Sequence, residues 1–145
     1  MLKSIFFGKS LLIIPSLLQA KPFTDNGDST VTDQKTGLVW QQSTGSTYTW
    51  ESALSYCESL TLGSKSDWRL PNVKELGSIV YHSLSSPTID STAFPSTLSL
   101  YYWSSTTSLP QTSYAWSVHF GNASGMYKNN KSNSNNNYVR CVRGG

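Results

Sequence analysis

The sequence predicts an α+β domain: two short helices in the first half, an antiparallel sheet in the second, and a disulfide from the first helix to the last strand. Three observations carry the prediction. Apolar residues fall at helical spacing in two capped segments between Thr49 and His82, and strict alternation replaces that spacing after Tyr101. The only two cysteines are Cys57, in the first helical segment, and Cys141, in the last extended one. In an oxidising compartment the two thiols bond and close nearly the whole domain into one covalent loop. Two free thiols are the alternative for a chain held in a reducing compartment.

Each element has a local cause. Residues 1–20 read as a secretory signal peptide: Lys3 and Lys9 precede the apolar run 11–18, and the small residue Ala20 stands at the cleavage position. Pro15 and the shortness of the run argue against a retained membrane helix, which needs about 20 apolar residues. No cysteine follows the cleavage site, so no lipoprotein anchor is expected. Residues 21–145 are then a single domain, secreted, periplasmic or on the cell surface, with no membrane span after cleavage. Residues 30–32 and 38–41 flank an Asp-Gln-Lys-Thr-Gly turn and read as a β-hairpin. Thr49 caps a helix whose Trp50, Ala53, Leu54, Cys57 and Leu60 share one face, with Glu51 favourable to the N-terminal dipole. Asn72 and Glu75 form an N-cap pair for a second helix with the apolar stripe Val73, Leu76, Ile79 and Val80. Residues 83–99, rich in Ser, Thr and Pro, predict a long surface loop anchored by Ile89, Phe94 and Leu98. Strands follow at 101–105, around Tyr114, Trp116, Val118 and Phe120, and at 138–143, with the Asn-rich run 129–137 as a loop.

Charge is divided along the chain. The formal net charge is only +3, and all acidic residues lie between Asp25 and Asp90. From Ser91 onward the chain carries Lys128, Lys131, Arg140 and Arg143 and no acid, among Tyr101, Tyr102, Trp103, Tyr114, Trp116 and Tyr127. A cationic, aromatic half suits an anionic or sugar-like ligand. Export and the small total charge disfavour nucleic acid as a partner.

The succession GLVWQ, TWESALSYC, WRLPNVKEL, YWSST, AWSVHF and YVRCVR resembles the Lcl C-terminal domain, found at the end of a Legionella collagen-like adhesin and in many bacterial relatives of unknown function. The resemblance covers residues 23–143. It implies a C-type-lectin-like fold akin to the formylglycine-generating sulfatase-modifying enzymes. In that fold a cysteine following a Trp-x-x-Ala pattern, here Trp50-Glu51-Ser52-Ala53, bonds one in the final strand. The resemblance also implies an adhesin-like module, because the named member binds sulfated glycosaminoglycans and promotes attachment. No collagen-like triplet repeat occurs in this sequence, so trimeric multivalent adhesion is not implied.

The candidate sites follow. Trp68, Arg69, Pro71 and Glu75 read as a structural motif, with Arg69 and Glu75 as a buried ion pair. Expected ligand contacts are Tyr127, Lys128 and Lys131 beside the Asn run, together with Trp103 and Trp116. Asn amides satisfy sugar hydroxyls, and Lys binds sulfate or carboxylate as a point charge. Arg140, on the opposite side of its strand from Cys141, is counted with these contacts; a buried structural role is its alternative. The partner is an anionic or sulfated glycan, or a host or surface protein met by an Asn-rich region that resembles those of retroelement-diversified proteins. Asp25, Asn26, Gly27, Asp28 and Asp33 lack EF-hand spacing and read as a turn, so no metal is expected. No cofactor or catalytic residue is expected either. Ser104, His119 and Asp90 lack the context of a triad, and the sulfatase-modifying enzymes use cysteines beyond their structural framework. A degenerate relative of those enzymes is the alternative from a different class.

Overall fold

The computed structural model describes residues 22–121, 125–135 and 137–145; the expected signal peptide at 1–20 and Lys21 lie outside them. The architecture is α+β, with two four-stranded sheets where the sequence predicts one. The first contains β1 (Phe23–Asp25), β2 (Thr30–Asp33), β3 (Val39–Gln41) and β8 (Val142–Arg143), in that order. The second has β5 (Tyr114–His119) between β6 (Gly125–Asn130) and β4 (Tyr101–Thr107), with β7 (Asn137–Tyr138) beyond β4. All pairs are antiparallel except β4 with β7.

The first hairpin forms as predicted, with Val31 opposite Trp40. A strand the sequence reading did not separate, β1, precedes it. The acid-rich segment between β1 and β2 is a turn that uses its own carboxylates: Asp25 Oδ1 accepts the Gly27 N–H at 2.9 Å and Asp28 Oδ1 accepts the Thr30 N–H at 3.1 Å. Gly27 takes φ 77° there, in the left-handed region that glycine enters without cost. Asp33 closes the next turn by accepting from Lys35 N–H and Thr36 Oγ1, both at 2.9 Å.

Helix α1 (Trp50–Glu58) starts at the Thr49 cap and buries Ala53 and Cys57. Helix α2 (Val73–Gly77) has the full capping box. Asn72 Oδ1 accepts Glu75 N–H at 2.8 Å, and Glu75 Oε1 accepts Asn72 N–H at 3.0 Å. This helix stops earlier than the apolar stripe suggests, because the Ser78 hydroxyl takes the Glu75 carbonyl at 2.6 Å. Leu76 and Ile79 are nevertheless both fully buried. Residues 83–99 hold no helix or strand. Ile89 and Phe94 anchor that loop in the core, whereas Leu98, expected as a third anchor, is 42% exposed.

The β4–β5–β6 sheet is covered on both faces. Tyr102 and Val118 pack with Leu76 of α2 and Trp40 of the first sheet, while Trp103 and Ala115 pack with Ala53 and Cys57 of α1. The neighbours Tyr102 and Trp103 are therefore both buried, as alternation on a two-sided sheet requires. A disulfide joins Cys57 to Cys141, 84 residues apart, inside the α1-side core.

The predicted closing strand is divided. Its start, β7, lies parallel to β4; its end, β8, pairs with β3; and residues 139–141 cross between the sheets. Gln41 receives the crossing segment: its side-chain oxygen accepts Cys141 N–H at 3.0 Å and its N–H donates to Cys141 O at 2.9 Å. The Asn-rich run is correspondingly less of a loop than expected, since Asn129 and Asn130 end β6 and Asn137 begins β7.

Candidate functional site

Strand parity decides where the expected ligand contacts lie. Successive side chains on a strand point to opposite faces, and β6 pairs Lys128 with Trp116 and Tyr127 with Ser117. Lys128 and Trp116 occupy the outer end of one face, with the Lys128 Nζ 5.5 Å from the indole centroid. Lys128 is exposed and Trp116 half-buried. The ion pairs among the described residues are Arg69 with Glu75 and Arg143 with Asp67, so Lys128 has no carboxylate partner. Tyr127 lies on the other face, edge-to-face with Tyr101 at 5.5 Å and near His119 at 6.0 Å. The contacts read as one site are thus split across the sheet.

Lys131 is tied down. Its Nζ donates to Thr107 Oγ1 at 2.9 Å and sits 3.9 Å from the Trp50 ring centroid. Its backbone carbonyl accepts Trp50 N–H and its N–H donates to Ser113 O, both at 2.9 Å, so the turn after β6 is fastened to the start of α1. Beside it opens a cleft of about 400 Å³ lined by Thr49, Glu51, Ser113, Asn130, Lys131 and Ser132. The sequence reading missed Glu51, Ser113 and Ser132 as cleft residues. They come from three distant segments, and no spacing rule links them.

Trp103 and Arg140, expected among the ligand contacts, have no exposed surface. Trp103 Nε1 donates to Tyr48 O at 2.8 Å inside the α1-side core. The Arg140 guanidinium lies 4.7 Å from the Phe94 ring and 5.6 Å from the Tyr102 ring, and donates to Thr97 Oγ1 at 3.0 Å and Gln42 O at 3.1 Å. The alternative stated for Arg140, a buried structural role, is the observed one. The division of the last strand turns it inward, under the 83–99 loop.

Trp68 is buried, with its Nε1–H shared between Leu62 O at 3.2 Å and Lys65 O at 3.1 Å. Pro71 O accepts Ser105 N–H at 2.8 Å. Arg69 and Glu75 form a two-bond ion pair, both contacts 2.8 Å, but their side chains are 40% and 18% exposed. The pair is structural without being deeply buried, because Arg69 also reaches the Gly144 carbonyl at the surface. The Arg69 guanidinium holds the Glu75 carboxyl below its ordinary value of 4.5. Its ionised form therefore stabilises the fold above that pH, and the contribution is lost as pH falls through the lowered value. With Arg69 this exposed the term is about 1 kcal/mol or less. Glu75→Gln should flatten the stability curve as pH falls below the ordinary carboxyl value of 4.5 in urea titrations; an unchanged acid limb would exclude the pair as its source.

The paper triad does not assemble. Ser104 Oγ donates to Trp116 O at 2.7 Å, Asp90 Oδ1 accepts Thr92 N–H at 2.9 Å, and His119 Nδ1 accepts Gly121 N–H at 3.0 Å. Each serves local backbone. His119 packs 4.6 Å from Tyr101, and burial lowers its pKa.

The sequence model of a protein family described as the Lcl C-terminal domain matches residues 29–143. No curated protein and no solved structure matches the chain.

Proposed function

This chain belongs to the Lcl C-terminal domain family, and on that premise we propose that it is a surface-associated or secreted binding module for sulfated or otherwise anionic glycans, on a C-type-lectin-like scaffold. One observation carries the reading: Lys128 is an exposed cation without a carboxylate partner, held over half-exposed Trp116. A planar ring accepts the apolar face of a sugar and the ammonium accepts a sulfate or carboxylate, so the two together suit an anionic saccharide. The absence of any acid after Asp90 leaves that charge uncompensated along the sequence. The resemblance to an adhesin that binds sulfated glycosaminoglycans supports the same ligand class. The expected leader at 1–20 supports export, and among the described residues no helix is long and apolar enough to cross a membrane.

Binding without catalysis is the role proposed. The sulfatase-modifying enzymes act through cysteines beyond the structural framework, whereas both cysteines of this sequence are spent in the disulfide. A protein partner is the second reading, favoured by Met126, which is 53% exposed on the same face as Lys128.

A glycan array followed by titration of immobilised heparin fragments tests the proposal. Lys128→Ala and Trp116→Ala should each weaken binding about tenfold, and affinity should fall steeply between low and physiological salt, where the Debye length is about 8 Å. Absence of binding to every sulfated glycan, or binding indifferent to Lys128→Ala, sinks it. Loss of binding on Met126→Asp with a protein ligand would favour the second reading.

A further inference from the structure

We infer that the cleft between the start of α1 and the turn after β6 is a separate binding site, built for neighbouring hydroxyls of an uncharged sugar. The inference does not depend on the anionic-glycan reading, because the two places lie on different faces of the sheet. Trp116 and the adjacent Ala115 point to opposite sides of β5, and α1 packs over the Ala115 side, with Ala53 and Cys57 in one core with Ala115 and Trp103. Lys131 reaches the Trp50 ring at the start of that helix. The cleft therefore opens on the α1 side, and Lys128, which pairs with Trp116, stands on the other.

Three segments of the chain are fastened together around it. Lys131 O accepts Trp50 N–H and Lys131 N–H donates to Ser113 O, both at 2.9 Å, and Asn133 N–H closes the turn on Asn130 O at 2.9 Å. Asn130 Oδ1 accepts Ser132 N–H at 3.0 Å and Ser132 Oγ–H at 2.7 Å, which fixes the amide and leaves its two N–H donors for a ligand. A framework held this way has little ordering left to lose on binding. The volume of about 400 Å³ falls within the range of small-molecule sites, roughly 300–1,000 Å³.

The groups left uncommitted select the ligand class. Lys131, the cation in the lining, is spent on Thr107 Oγ1 and the Trp50 ring. The helix start offers an anion little, since Trp50 N–H is taken by Lys131 O and Ser52 N–H by Thr49 Oγ1 at 3.4 Å. Glu51 is exposed and, among the described residues, joins neither ion pair. A sulfate here would meet that carboxylate with no available cation to offset it. An ammonium group would satisfy Glu51 and leave the Asn130 donors unused. Neighbouring sugar hydroxyls use the whole set: they donate to the Glu51 carboxylate, which only accepts, and accept from the Asn130 amide and the Ser113 hydroxyl.

NMR titration of the isotope-labelled protein with maltotriose, cellotriose, mannotriose and galactotriose tests the inference. At least one of them should shift the Asn130 side-chain amide and the Ser113 and Ser132 backbone amides saturably, and Asn130→Ala should weaken that binding about tenfold. A sulfated form of the same trisaccharide should bind about threefold or more weakly, and Glu51→Gln should erase the difference by removing the charge while keeping the shape. No saturable shift at these amides with any of the four, equal binding of the neutral and sulfated forms, or indifference to Asn130→Ala overturns the assignment. Heparin tetrasaccharide in the same experiment reports on Trp116 and Lys128 by their own amides, so failure of the cleft and failure of the anionic-glycan reading are seen separately. Melting curves of both variants confirm that each remains folded.

Discussion

Replacing Cys57 and Cys141 together by alanine should lower the stability of the domain by about 4–5 kcal/mol and its melting temperature by about 15–20 °C. The bond spans 84 residues. Cross-linking a loop of that length removes about this much chain entropy from the unfolded state, and a domain of this size has only about 5–15 kcal/mol to lose. The bond also lies where the second sheet hands the chain to the first, since residues 139–141 cross between β7 and β8. Without it, the crossing keeps the two Gln41 contacts, the packing of Val139 and the Arg140 contacts with Thr97, Gln42, Phe94 and Tyr102. Urea titrations of the oxidised and reduced protein, with the double variant alongside, measure the effect. A difference below about 1 kcal/mol would show that native packing alone holds the ends together.

Arg140→Ala should cost about 3–4 kcal/mol, whereas Arg140→Met should cost less than about 1 kcal/mol or stabilise. Alanine opens a cavity beneath Phe94 and Tyr102 and leaves the Gln42 carbonyl without this donor. Methionine fills much of the space and removes a cation that no carboxylate accompanies. Burial pushes the Arg140 pKa down to about 10, so the group is still charged at neutral pH and carries a full desolvation penalty there. The sign in alkali follows. From about pH 10 up to the ordinary arginine range the unfolded chain binds more protons at this position than the folded one, so Arg140's contribution to stability rises with pH. The alkaline limb should therefore fall less steeply in the unaltered protein than in Arg140→Met. Equal losses for alanine and methionine would instead assign Arg140 a net favourable role through its hydrogen bonds and ring contacts.

The elements that were legible in the sequence are those whose cause is local. The Thr49 cap, the Asn72 and Glu75 capping box and the hairpin pairing Val31 with Trp40 each depend on residues a few positions apart. The same holds for the split of the candidate site. Once residues 126–128 are assigned to a strand, alternation alone sends Tyr127 and Lys128 to opposite faces. The cleft had no such signal. Its lining joins the start of α1, the β4–β5 connection and the turn after β6, which meet only when the sheet has formed.

By itself the sequence determined the two helices, the first hairpin, the strands around Tyr101 and Trp116, the family, and the division of charge that leaves Lys128 in an acid-free half, because these follow from short-range periodicity, capping and composition. Tertiary structure alone decided that the last strand is shared between two sheets, that Arg140 and Trp103 are interior, and that Lys131 is bound to Trp50 while Lys128 is left without an ion-pair partner. Those outcomes turn on which surfaces meet across long separations in the chain, where burial of one side chain is set by the packing of elements whose sequences carry no mark of each other.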